Sequence, residues 1–351
     1  MRARWTRLAL EAPSARSSHK LSAINGKAYL YGGEETARHA ISSVVHCLGK
    51  DDRSGSWKWR KLEPPSSVRP PARVGHAQAV AQTASGEKLL IFGGRAGVEM
   101  GEHELGDLWS FEPPSEEHPE GLWTELKASS APSPRSFHAA TAVGSTMFVF
   151  GGCGADGRMA DLHAYDASEN NWTALPPPPP DVVGRGGATL EATAAAADDD
   201  SDYGLLWLAC GFVGHETNDL LRFCLRSGAW ERAPSDGWLR PRSVAASFTF
   251  PRGLFILFGG EVSPSDRGHE GAGGFAGDLL AIDARSGSPK DLAIVDAERG
   301  ESDNEAPAPA PRGWAAATAL SDSQGVLFGG LTGSDDAPKR LGDTWLLDLL
   351  P

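Results

Sequence analysis

Residues 72–94 read ARVGHAQAVAQTASGEKLLIFGG, and the fold is decided by how that stretch closes and how often the close recurs. A small-residue run from His76 (HAQAVA) passes through a polar turn (TASGEK) into an apolar run that ends on Gly93 and Gly94. The same ending appears as AYLYGG (Gly32, Gly33), MFVFGG (Gly151, Gly152), LWLACG (Cys210, Gly211), FILFGG (Gly259, Gly260) and GVLFGG (Gly329, Gly330). Recurrence at roughly 50 to 60 residues marks an array whose unit cannot bury its own apolar face alone. Glycine reaches positive φ without a Cβ clash and lets strands approach closely, so the pair has a backbone reason and implies nothing catalytic.

Outward from this stretch, each unit has four parts. After the glycines a loop leads to Asp107 and Leu108, which open DLWSFE, and LWTEL around Trp123 closes the unit. Asp161-Leu162, Asp219-Leu220, Asp278-Leu279 and Asp343-Thr344 open the corresponding third runs, and Trp59, Trp172 and Trp230 sit in fourth runs. Short runs rich in β-branched and aromatic residues between Gly, Pro, Asp and Ser clusters read as antiparallel strands. The last unit stops at Pro351 with three strands, while RWTRLAL around Trp5 is an orphan at the other end. Pairing the two removes the edge an open ring would leave. The expectation is an all-β, six-bladed propeller forming one domain over 1–351, with blades near 16–64, 72–127, 134–176, 184–234, 241–298 and 311–351, the last completed by 1–10. KDLAIV (290–295) is the weakest of the outer strands, since it lacks the tryptophan.

A formal charge of −13 argues against a nucleic-acid or anionic membrane partner, since both select Lys and Arg surfaces. No apolar stretch reaches membrane-spanning length, and the N-terminal LAL is too short for a secretory segment, so a cytoplasmic location is expected. Cys47, Cys153, Cys210 and Cys224 are far apart and read as reduced thiols packed in strands. The proline run 176–180, the EATAAAADDDSDYG tract before Leu205 and the acidic AERGESDNEAPAPAP before Arg312 read as excursions from the repeat that cannot bury enough apolar area to offset chain ordering.

Chain direction alternates within a blade, so the turn entering each first strand and the loop after each double glycine emerge on one face. Arginines stand at all six entries: Arg16, Arg73, Arg135, Arg185, Arg242 and Arg312. Converging there they would form a positive cup suited to sulfate, phosphate or carboxylate groups; the alternative is that they brace blades through carboxylates and main-chain carbonyls. Trp314, beside Arg312, points either to the channel, where it could stack on a ligand, or into the core. The outer-strand tryptophans read as packing between blades, and the repeated His19, His76 and His138 as architecture. No HExxH, GxSxG, Cys/His zinc spacing or phosphate loop is present.

Pro-Arg-x-x-His, apolar-Phe-Gly-Gly, Asp-Leu-x-x-aromatic-Asp and Trp-x-x-Leu, repeated in one order over nearly the whole chain, resemble the kelch repeat. GGEVSPSDRGHEGAG (259–273), PARVGHAQA and PRGW are similar to a narrower branch, the nitrile-specifier, epithiospecifier and thiocyanate-forming proteins. That resemblance implies sulfate-holding arginines at the second and third entries, here Arg73 and Arg135, and an Fe(II) site formed by Glu-x-x-x-Asp-x-x-x-His. Glu261 and His269 keep that spacing, but Ser265 takes the middle place and Asp266 is displaced by one. The implied metal set is therefore Glu261, Asp266 and His269; otherwise the segment is a glycine-rich loop with turn carboxylates. Copper oxidases sharing kelch propellers have tyrosine and histidine ligands without a counterpart here. Two readings follow: a binding module whose partner is a protein or an anionic small molecule, or an iron-dependent protein directing a sulfated thiohydroximate to a nitrile.

Overall fold

The computed structural model describes all residues except 65–67, 98–103, 194–203, 252 and 296–307. The Ala/Asp tract and the acidic segment before Arg312 lie largely outside the described residues.

Six antiparallel sheets follow one another along the chain. Blade two shows the plan, with Ala77–Thr83 innermost, then Gly86–Phe92 and Leu108–Glu112, and Leu122–Leu126 outermost. In blade six, Ala316–Ala319, Gln324–Ser334 and Ala337–Leu350 are completed by Arg2–Arg7, which pairs antiparallel with the last strand, Trp5 opposite Leu347. The chain's two ends are thus zipped together as the orphan strand predicts.

The outer strand of blade five departs from expectation. Only Pro289 and Lys290 pair within that blade. Ala293 and Ile294 cross to blade six and add a short parallel strand outside Arg2–Arg7, covering the edge of the latch.

The double glycines do the work expected of them. At Gly94 (φ +96) a Cβ would lie 2.9 Å from the Val74 carbonyl oxygen and from the His76 Cβ, so the backbone of the inner strand occupies the space a side chain would need. Where blade four has Cys210 in place of the first glycine, the cysteine itself takes φ 62. All four cysteines are free thiols.

Tryptophans of the outer strands join consecutive blades. Trp123 meets Tyr31, Trp172 meets Phe92, Trp230 meets Phe150, Trp5 meets Phe258 and Trp59 meets Phe328, with ring centroids 4.9–5.9 Å apart. Between blades four and five both partners are missing, since Ala209 replaces the aromatic residue and the outer strand has no tryptophan. Trp207 fills that interface instead, fully buried against Phe255 and donating Nε1–H to the Ala284 carbonyl.

Each repeat also places one residue at positive φ: Ser18, Gly75, Phe137, Gly187, Val244 and Trp314, all between 48 and 62°. Their peptide groups form a closed ring about the axis. Gly75 N–H donates to Ser18, Phe137 to Gly75, Gly187 to Phe137, Val244 to Gly187, Trp314 to Val244 and Ser18 to Trp314, at 2.6–3.1 Å. This hydrogen-bonded collar stands between a cavity on the entry face and a channel on the other side, and itself lines a small cavity of about 50 Å³. At position 75 it is the Phe137 ring that calls for glycine, since a Cβ would lie 2.7 Å from it.

Candidate functional site

Entry turns and post-glycine loops do share one face, held by bridges that pair Ser17 with Glu34, Ser136 with Cys153, Gly186 with Phe212, Ser243 with Glu261 and Gly313 with Leu331. Above the collar these segments enclose a cavity of about 330 Å³. Phe137, Phe212 and Trp314 give it an aromatic lining, and Arg38, Arg158, Glu34, Glu261 and His269 bring charge to it.

The most heavily engaged side chain is Glu34, 1% exposed. Its carboxylate accepts from the Ser17 and Ser18 hydroxyls at 3.0 and 2.9 Å, from the Arg38 backbone N–H at 2.6 Å and from His269 Nε2 at 2.9 Å. Arg340 stands 3.7 Å away. Burial works against the charged form, but His269, Arg340 and the Arg38 amide outweigh it and bring the Glu34 carboxyl down to about 2. His269 lies edge-on to Trp314, centroids 4.9 Å apart, and 5.4 Å from Phe137.

The fifth loop reaches His269 through a short 3-10 turn, Gly268–Glu270, and is moored to blade six at Asp335. That carboxylate accepts from the Ser265 hydroxyl and from the backbone N–H groups of Asp266 and Ala272, while the Arg267 guanidinium donates to the Asp335 carbonyl. Glu261, at the loop's root, is pushed up to about 7 by burial and by the neighbouring Glu216 carboxylate. Glu216 is itself buried, with Oε1 unpartnered.

Of the implied metal set, Glu261 and His269 line the cavity, but His269 turns its Nε2 to Glu34, and Asp266 is not part of the lining. Ser265, in the middle place, is committed to Asp335. Among the described residues no three His, Cys, Asp or Glu side chains converge as a metal-binding group. The side chains present do not fit the three-donor iron set.

The six entry arginines are 0–2% exposed. Arg73, Arg135, Arg242 and Arg312 each form a two-pronged pair with the aspartate opening the third strand of their own blade: Asp107, Asp161, Asp278 and Asp343. Arg185 pairs with Asp219. Each also donates to the carbonyl at the double-glycine position and, through Nε, to the carbonyl two residues before it. The buried carbonyls and carboxylate use up the fork, so the bracing alternative describes these side chains, Arg73 and Arg135 included. Arg16 differs, because Val44 stands where the aspartate would be; among the described residues it bonds to Ser14 and Gly32, and burial lowers it to about 10.

Trp314 is placed on the cavity side, through its collar position. The residues that sequence reasoning missed are Glu34, Arg38 and Arg158. Arg158 lies over the Phe212 ring, 4.8 Å from its centroid, and neither it nor Arg38 has a carboxylate partner among the described residues. Their signal was only positional, as charged residues in loops following a double glycine.

Residues 18–260 match the family model described as the KLHDC2/KLHL20/DRC7 kelch-repeats domain. Over 91% of the chain and 89% of the relative, the sequence is 26% identical to N-(sulfonatooxy)prop-2-enimidothioate sulfolyase of Thlaspi arvense. Human host cell factor 1 is 31% identical over 42% of the chain, which spans only 8% of that protein's length. The solved structure of YjhT superposes with a TM-score of 0.68 at 16% identity, covering 96% of this chain and 95% of that one, which speaks for the fold alone.

Proposed function

We propose that this chain, which belongs to the kelch-repeat family of the KLHDC2/KLHL20/DRC7 type, uses its entry face to bind an anionic ligand, an acidic protein segment or a small molecule. The observation that carries this reading is the pairing of two guanidiniums without carboxylate partners among the described residues, Arg38 and Arg158, with an aromatic-lined cavity of about 330 Å³. Clefts that are largely apolar with a few convergent polar groups are the usual form of ligand sites, and guanidiniums suit sulfate, phosphate and carboxylate. The similarity to host cell factor fits a binding module, and the similarity to a sulfolyase fits a sulfate ester as the anion.

The test is calorimetric titration of an aryl sulfate against its uncharged isostere. The charged probe binds at least about tenfold more tightly, and Arg38→Ala and Arg158→Ala each remove most of that preference. Equal affinity for the two probes would overturn the reading.

A second reading is favoured by the length of the sulfolyase alignment, 344 residues: conversion of a sulfated thiohydroximate with loss of sulfate. It predicts turnover of such a substrate with release of sulfate. Substrate binding without turnover supports the binding module instead.

A further inference from the structure

Below the collar, the innermost strands of all six blades enclose a channel of about 280 Å³, far more than the roughly 10–15 Å³ that admits one water. Its walls are mostly alanine, serine and threonine, and among its lining residues only Lys20 and Glu191 carry charge. Lys20 belongs to blade one and Glu191 to blade four, which in a ring of six stand opposite each other across the axis. Burial pushes the Glu191 carboxyl up and the Lys20 ammonium down, each group partly offsets this by favouring the charged form of the other, and the two form no ion pair among the described residues. Glu191 is aimed by the Ser247 and Thr249 hydroxyls, which donate to its two oxygens. The Lys20 ammonium has neither a hydrogen bond nor an ion pair among the described residues. Gln78 is 7% exposed; its amide N–H is spent on the Tyr29 carbonyl at 3.0 Å, which fixes its Oε1 as a buried acceptor without a donor.

Two opposite charges held apart in a confined space, each short of a full set of partners, define a receptor for a molecule with both charges of its own. A lone anion or cation would satisfy one and leave the other desolvated and uncompensated. We propose that the axial channel binds a small zwitterion of the amino-acid class, its carboxylate on Lys20, its ammonium on Glu191, and a remaining N–H or O–H on Gln78 Oε1.

The experiment titrates the full chain with glycine, β-alanine and 4-aminobutyrate, which differ in charge separation, and with acetate and ethylammonium as singly charged controls, by calorimetry. One zwitterion binds saturably at 1:1 and at least about tenfold more tightly than either control. Lys20→Met and Glu191→Gln each weaken it by about tenfold or more, and the exchange Lys20→Glu with Glu191→Lys restores binding in the reverse orientation. No saturable binding of any zwitterion to the unmodified chain, or equal binding of acetate or ethylammonium, overturns the proposal. Because the unmodified chain alone decides this, a variant that fails to fold does not shield it.

Discussion

His269 Nε2 sits 2.9 Å from Oε1 of Glu34, so a loop of blade five is tied to blade one across the mouth of the axis. Residues 235 positions apart are joined here, and blade six between them supplies the second mooring at Asp335 and the Arg340 guanidinium. The cavity's roof is therefore held in part by polar contacts, and polar contacts respond to pH.

Glu34 is held at about 2 in the folded protein against an ordinary 4.5, so its contribution is complete above the unfolded value and is lost as pH falls from about 4.5 towards 2. Removing the imidazole by His269→Ala takes away its largest favourable partner. The expected outcome is an acid-unfolding midpoint shifted to higher pH and faster amide exchange over 261–277. An unchanged midpoint, with unchanged exchange in that loop, would show that His269 does not moor it.

Glu261 titrates in the opposite sense. Its carboxyl is raised to about 7, so the folded chain holds a proton there that the unfolded chain has lost, and stability falls as pH rises from about 4.5 to 7. Glu261→Gln keeps an acceptor for the loop's backbone amides without the charge facing Glu216. The variant is expected to melt higher than the unmodified protein at pH 8 and to match it at pH 4, by calorimetric scanning.

Blade one is the single blade whose arginine lacks its aspartate. In blade three the same aspartate serves twice, since Asp161 accepts from Arg135 and from His163 at 2.8 Å. His46 occupies the His163 position in blade one, and burial together with Arg16 and Lys61 lowers it to about 4. Val44→Asp should supply both missing contacts. It is expected to raise the His46 value towards or above the ordinary 6.5, read by NMR titration, and to raise stability by about 1 kcal/mol, the scale of a charge-assisted hydrogen bond net of desolvation. A fall in melting temperature would mean that the extra charge costs more to bury than the clamp returns.

What the sequence showed and hid follows from the range of each interaction. Gly93 and Gly94, the third-strand aspartates and the orphan Trp5 strand recur or complete a recurrence, so the propeller and its latch were legible from pattern alone. The clamp was half visible: arginine and aspartate recur together in five units, and Val44 breaks the pattern in the sixth, but a spacing of 26–36 residues says nothing of distance in space. The outer strand of blade five stood out as weak, and its split was hidden because a two-residue pairing such as Pro289–Lys290 carries no periodic signal. The Glu34–His269 contact had none either, since both lie in loops whose lengths differ from blade to blade.

The interface between blades four and five offers the last test, because there the repeat's own solution is absent. Elsewhere an outer-strand tryptophan meets an aromatic residue of the preceding blade; here, with Ala209 and a two-residue outer strand, Trp207 packs at the interface with Leu239, Phe255, Leu257 and Ile282. Trp207 is fully buried and satisfies its Nε1–H at 2.8 Å on Ala284, so truncation leaves a cavity and an unpaired carbonyl together. Trp207→Ala should cost about 3–5 kcal/mol, and Trp207→Phe, which keeps most of the volume but not the donor, distinctly less. Trp230→Ala, at an interface where the ring is partly exposed, should cost less than Trp207→Ala. Denaturant titration of the three variants checks the order, and a Trp230 loss as large as that of Trp207 would show that blade five is not held by this single ring.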